Sequence, residues 1–199
     1  MTTFTNERAT MVQNYDLDNA LAVLRNGGLI LYPTDTVWSI GCDATNPLAA
    51  ARIRQLKRTD DAFGLEVLVN SLEMLRAYVG RLHPRIETLL LYHVRPLTVL
   101  YDQARNLPDS LLAIDGSISI RLVQDNYCSE LIGTLGKPLV AAPADLRNDY
   151  FPVNFGAISS DVIERVDYVS RYRRSDKAPA QPSVMVKLSV KDELEFLRE

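Results

Sequence analysis

Residue types that can bind, orient or activate a small molecule concentrate in one stretch, LILYPTDTVWSIGCDATN, Leu29 to Asn46. An apolar run breaks at Pro33 and gives way to Thr34, Asp35 and Thr36, two hydroxyls flanking one carboxylate. Val37 and the single tryptophan, Trp38, follow. In open α/β sheets the ligand crevice lies at the carboxyl ends of strands, where hydroxyls and backbone amides can hold a small polar substrate. The same residues also make an Asx-type or Thr-type turn that bonds its own backbone. Both readings stand on these residues alone. A second candidate is RYRRSDK, where Arg171, Arg173, Arg174 and Lys177 can contact phosphates while Tyr172 stacks on a base. The alternative there is a solvated loop.

Other chemistries lack their residues. GTLGKPL, Gly133 to Leu139, has the wrong glycine spacing for a phosphate loop and no hydroxyl after Lys137, so it reads as a helix-to-strand turn. There is no G-x-G-x-x-G and no G-x-S-x-G. His83 and His93 sit in no triad context. Cys42 and Cys128 lie far apart without metal-ligand spacing, which points away from a zinc or disulfide framework. No catalytic residue and no metal site is assigned on this basis.

The elements that must position these residues follow from pattern. Asp16 is placed to cap a helix through Leu17, Ala20, Leu21 and Leu24, stopping at Asn26-Gly27-Gly28. Leu29–Tyr32 reads as a short strand apolar on both faces, and Pro47 opens a helix ending near Lys57. Strands are expected at Leu65–Asn70, Leu97–Tyr101, Ser117–Val123, Leu139–Ala142, Val166–Ser170 and Val184–Leu188, with a short LEFL pairing near the C-terminus. Helices are expected around Leu72–Val79, Pro84–Tyr92 and Tyr127–Leu135. Strands alternating with helices define an α/β protein with a mixed, twisted sheet. The 199 residues show no repeat or low-complexity linker, so residues 1–199 are read as one domain. Apolar residues make up 47% and the net charge is −3, which excludes wholesale coating of nucleic acid but not a local basic groove. With no basic-then-apolar leader and no apolar run of membrane-span length, a cytoplasmic protein without membrane partners is expected.

YPTDTVWSIGCDATN closely resembles YPTDTVYGLGCDATN, the signature of the YrdC/YciO family. The match runs on through LEVLVNS, RPLTVL (Arg95–Leu100), SISIRL around Arg121, GKPLVAA, QPSVMVKL and a closing FLR at Arg198. The resemblance implies a YrdC-like twisted mixed sheet with flanking helices and a large concave, electropositive cavity. Active members combine L-threonine, bicarbonate and ATP into threonylcarbamoyl-adenylate, releasing pyrophosphate, and the product serves tRNA modification. Members also carry translation-factor and double-stranded RNA-binding labels. No tightly bound cofactor is implied; Mg2+ would accompany ATP and bridge its phosphates.

By this resemblance Thr34, Asp35, Thr36 and Trp38 fall on the substrate turn. Lys57, Arg58, Arg95, Thr98, Arg121, Asp145 and Ser183 fall on the nucleotide side. Several positions depart from the family pattern. Trp38 and Ser39 replace a tyrosine and a glycine, and the Lys-x-Arg pair reads Lys57-Arg58-Thr59. The Ser-x-Asn motif reads Pro143-Ala144-Asp145, which removes a hydroxyl and a backbone donor and adds negative charge where phosphates should lie. The resulting expectation is a family member that binds RNA, tRNA or a nucleotide with synthase activity weak or lost. The alternative is an active synthase in which Arg58 and Arg95 replace the missing cations. A third is a carbamoyl or acyl transferase that keeps only the threonine-side pocket.

Overall fold

The LILY run forms a strand so short because it must turn back at once. In the computed structural model, which describes residues 16–57, 64–146, 151–177 and 181–199, β1 (Ile30–Tyr32) pairs antiparallel with β2 (Ser39–Gly41). PTDTVW is therefore the loop of a hairpin. β2 is an element that its SIG sequence does not announce. Gly41 is needed there: a Cβ would lie 2.6 Å from the Val140 carbonyl and overlap the Tyr32 ring.

The remaining strands are β3 (Glu66–Val69), β4 (Leu97–Tyr101), β5 (Ile118–Leu122), β6 (Leu139–Pro143), β7 (Tyr168–Val169), β8 (Val184–Leu188) and β9 (Leu194–Arg198). They join in one nine-stranded sheet, in the order β7-β1-β2-β6-β3-β5-β4-β8-β9. Parallel pairs (β1 with β7, β3 with β5, β4 with β8) are interleaved with antiparallel ones, so the sheet is mixed as expected.

Both faces of the sheet are covered, which is why its strands are apolar on both sides. Alternate residues go to opposite layers. Leu31, Ile40, Val67 and Val69 join a core with helix α2 (Pro47–Lys57), α3 (Leu72–Tyr78) and α4 (Pro84–Tyr92). Ile30, Tyr32 and Leu68 join a second core with α1 (16–25) and α5 (Asn126–Leu135). α5 is capped by Asp125 and ends at Gly136 in the left-handed conformation, φ 72°. A short α6 (Ser160–Ile163) lies between β6 and β7. The Asp16 carboxylate accepts bonds from Tyr127, Tyr168, Ser170 and the backbone of Arg171 and Tyr172. It pins the segment after β7 onto α1. Among the described residues no helix is long and apolar enough to cross a membrane.

Candidate functional site

A cavity of about 240 Å³ opens where the β1–β2 hairpin, β3, the end of β6 and the C-terminal strand meet. Thr36 and Ser39 line it from the hairpin, Glu66 from β3, Lys57 from the last turn of α2, and Ser183 and Arg198 from the β8–β9 side. Gly64 lies on its wall in the left-handed conformation (φ 68°), where a Cβ would lie 2.8 Å from the Ala113 nitrogen. Its described lining carries two cations, Lys57 and Arg198, and one carboxylate, Glu66. The charge there is mixed rather than uniformly basic.

Polar side chains from four strands and the hairpin loop connect beside this cavity. Arg121 on β5 is completely buried and holds two carboxylates at once. Its Nη1 donates to Asp35 on the hairpin; its Nη2 and Nε donate to Glu66 Oε2 at 2.7 and 3.2 Å. The Thr98 hydroxyl on β4 donates to Glu66 Oε1. Because that spends its one proton, the Ser183 hydroxyl must donate to Thr98, 2.6 Å away. Arg198 Nη2 in turn donates to Ser183 Oγ at 2.9 Å and its Nε to the Ser183 carbonyl at 2.8 Å. The bonds run in one direction, from the Arg198 guanidinium through two hydroxyls to the Glu66 carboxylate.

Burial dominates the titration of this group. It pushes the Glu66 carboxyl up to about 7, against the Thr98 hydroxyl, Arg198 and the Ser183 hydroxyl, which favour the charged form. Burial also pulls Arg121 down, to about 10, so it stays cationic at neutral pH.

The residues expected from the sequence separate into three sets. Thr36, Lys57 and Ser183 line the cavity. Asp35, Thr98 and Arg121 form the buried network behind it, with Asp35 also accepting the Gln124 N–H at 3.0 Å. The others point elsewhere. Thr34 makes the turn foreseen as the alternative: its hydroxyl donates to the Val37 carbonyl at 2.9 Å and accepts the Thr36 N–H at 3.1 Å. Trp38 packs into the core against Phe155, ring centroids 5.1 Å apart, while its neighbour Ser39 faces the cavity. The Asp145 side chain is buried without lining the cavity; its carbonyl and that of Pro143 accept the Lys57 ammonium. Arg95 is exposed ahead of β4 and does not line the cavity. Arg58 lies outside the described residues.

In the basic segment Arg173, Arg174 and Tyr172 bond within the chain, while Arg171, Arg174 and Lys177 remain exposed. Arg173 donates to the Thr34 carbonyl at 3.2 Å and pairs with Asp125 and Asp176. Arg174 bonds the carbonyls of Ser170 and Val169 and lies over the Phe155 ring. Tyr172 stacks on Tyr127 with centroids 4.6 Å apart, while Arg171 is exposed.

Two site residues were not foreseen, Glu66 and Arg198. The sequence signal for the first is a carboxylate inside the otherwise apolar LEVLV run; Arg198 closes the FLR match.

A mixed sheet with a cavity of mixed polar and apolar lining at a Thr-Asp-Thr hairpin defines an α/β protein with a candidate small-ligand site. The chain belongs to the Sua5/YciO/YrdC family, whose model, described as telomere recombination, matches residues 22–199. Relatives include the threonylcarbamoyl-AMP synthase of Xanthomonas euvesicatoria pv. vesicatoria, 28% identical over 162 residues, or 80% of this chain and 87% of that protein. The threonylcarbamoyl-AMP synthase of Enterobacter sp. is 30% identical over 142 residues, covering 68% of this chain and 75% of its own. Among solved structures, E. coli YciO superposes with a TM-score of 0.80 at 20% identity, covering 94% of this chain and 89% of that one. P. abyssi Sua5 complexed with L-threonine superposes with a TM-score of 0.74 at 19% identity, covering 86% of this chain. This chain spans 50% of that Sua5's length.

Proposed function

We propose that this protein binds L-threonine and ATP in the cavity beside the Thr36 hairpin and makes threonylcarbamoyl-adenylate slowly. The observation that carries the reading is the meeting of Thr36, Lys57, Pro143 and Ser183 around one cavity. The family resemblance puts these positions on the substrate turn and the nucleotide motifs. The relatives named threonylcarbamoyl-AMP synthase support the same chemistry.

Slowness follows from where the cations stand. Arg121 is already held by two carboxylates and must give up a partner to meet a phosphate, and the Lys57 ammonium is directed at two backbone carbonyls. Pro143 offers neither a hydroxyl nor an N–H. Each lost charge-assisted contact costs about 1–3 kcal/mol, and several lower nucleotide affinity by orders of magnitude. Among the described residues no group of three or more His, Cys, Asp or Glu comes together. In this reading Mg2+ therefore enters on the nucleotide's phosphates. RNA binding has less behind it, because Arg173, Arg174 and Tyr172 bond within the chain.

The test is pyrophosphate release from ATP with bicarbonate and L-threonine. Slow, threonine-dependent release is expected; none at stoichiometric enzyme overturns the synthase reading.

A further inference from the structure

Among the described residues lining the cavity, Glu66 is the one carboxylate. It is the first residue of β3, and its side chain keeps 19% of its surface exposed although Arg121 behind it has none. Asp35 and Glu66 flank that single guanidinium, so when both are ionised the cluster carries one surplus negative charge. A cation arriving from the cavity would balance it. The charged groups around Glu66 are Arg121 from β5, Asp35 across Arg121, and Arg198 from β9 beyond the hydroxyls of Thr98 and Ser183. Lys57 lines the same cavity from α2, its ammonium directed at backbone carbonyls.

A zwitterionic amino acid matches this layout: a carboxylate on the cavity wall for its ammonium, and a guanidinium two hydroxyls away for its own carboxylate. The proposed reaction also requires a proton acceptor, because an ammonium has no lone pair with which to attack carbon. The residues matched to the family pattern supply none on the wall. Neither Asp35 nor Asp145 lines the cavity.

Resting on the threonine and ATP reading above, we propose that Glu66 is a catalytic residue that binds the substrate's ammonium group and takes its proton. The ammonium N–H bond breaks and its proton goes to a Glu66 oxygen. The freed nitrogen lone pair then forms the N–C bond to bicarbonate. The bicarbonate C–OH bond breaks, and the hydroxyl leaves as water with the proton returned by Glu66. The nitrogen's next proton passes through Glu66 to solvent. The net change is ammonium plus bicarbonate to carbamate, water and one proton. The carbamate oxygen next attacks the α-phosphorus of ATP and pyrophosphate leaves. A carboxyl held near 7 by burial is matched to this task at neutral pH.

The experiment uses the full chain, wild type and the isosteric E66Q, with E66D as the conservative rescue. Wild-type kcat for pyrophosphate release should fall as pH drops below about 7. E66Q should lower kcat by on the order of 100-fold, raise the KM for L-threonine and lose that limb, and E66D should restore part of the rate. An E66Q rate within about threefold of wild type, with the same pH limb, overturns the assignment. Calorimetry of L-threonine binding in buffers of different ionisation enthalpy decides the matter without turnover. Binding at about pH 6 should release a proton from wild type and none from E66Q, because a Glu66 carboxyl must ionise to hold an ammonium. The same proton count in both variants overturns the role of Glu66 and leaves the threonine reading intact. No threonine binding by wild type overturns both.

Discussion

Asp16 shows how one residue can hold a remote segment in place. Its carboxylate is fully buried and accepts from Tyr127 Oη at 2.9 Å, Tyr168 Oη at 2.8 Å, Ser170 Oγ at 2.5 Å and the N–H groups of Arg171 and Tyr172 at 2.6 and 3.3 Å. Burial alone would raise its pKa. The Arg171 N–H and the hydroxyls of Ser170, Tyr168 and Tyr127 outweigh burial, and the net shift is downward from 3.8. Asp16→Ala leaves several buried donors without an acceptor and should cost on the order of 3 kcal/mol in urea unfolding at neutral pH. The sign of the pH dependence follows from the lowered folded value. The stabilisation is complete above the unfolded pKa of 3.8 and is lost as pH falls through the folded value beneath it. The gap between wild type and D16A should therefore shrink only below about pH 4. A gap that closes near neutrality would remove the charged carboxylate from the account.

At the scale of elements, the hairpin β1–β2 decides the site because it turns one strand's end into a cavity wall. Its closeness depends on Gly41, whose Cβ position falls between the Tyr32 ring and the Val140 carbonyl. Tyr32 is itself fixed by a 2.9 Å bond from its hydroxyl to that carbonyl, so neither neighbour can yield cheaply. Gly41→Ala should lower stability by about 1–3 kcal/mol and disturb Ser39, two residues away on the cavity. A melting temperature equal to wild type would refute this. The apolar strands and the Pro47 helix were legible because burial on both faces leaves unbroken apolar runs and a proline marks a first turn. β2 was not: SIG is three residues with no alternation, and it becomes a strand only by pairing with β1 and β6. β7 is shorter than VDYVS suggested, two residues held to β1. The site was half legible for a related reason. The family resemblance points to Thr36, Lys57 and Ser183, but the side of the hairpin that Trp38 and Thr34 face depends on sheet packing. That Arg198 reaches the cavity lined by Glu66 depends on β8 and β9 docking at one end of the sheet.

At the scale of the whole molecule, charge placement bears on the RNA question. The chain is net acidic, at −3, so polyanion binding requires its cations to gather on one face and remain available. The segment 171–177 is suited to this by sequence, yet Arg173, Arg174 and Tyr172 are engaged within the chain, while Arg171 and Lys177 are exposed. Arg173 supports the Thr34 carbonyl and two carboxylates, Arg174 caps the end of β7 and covers Phe155, and Tyr172 lies on Tyr127. RNA contact through Arg173, Arg174 or Tyr172 would compete with these bonds. Duplex RNA should therefore bind weakly, with a log Kd against log salt slope corresponding to no more than about two phosphate contacts. R173A with R174A should lower thermal stability by removing the braces of the Thr34 turn and β7, while changing RNA affinity little. A steep salt slope that flattens in this double variant, with its melting temperature unchanged, would reverse the assignment and make the segment an RNA contact. A fall in stability at constant slope places its arginines in the scaffold of the cavity, where Arg173 acts through the same hairpin that presents Thr36.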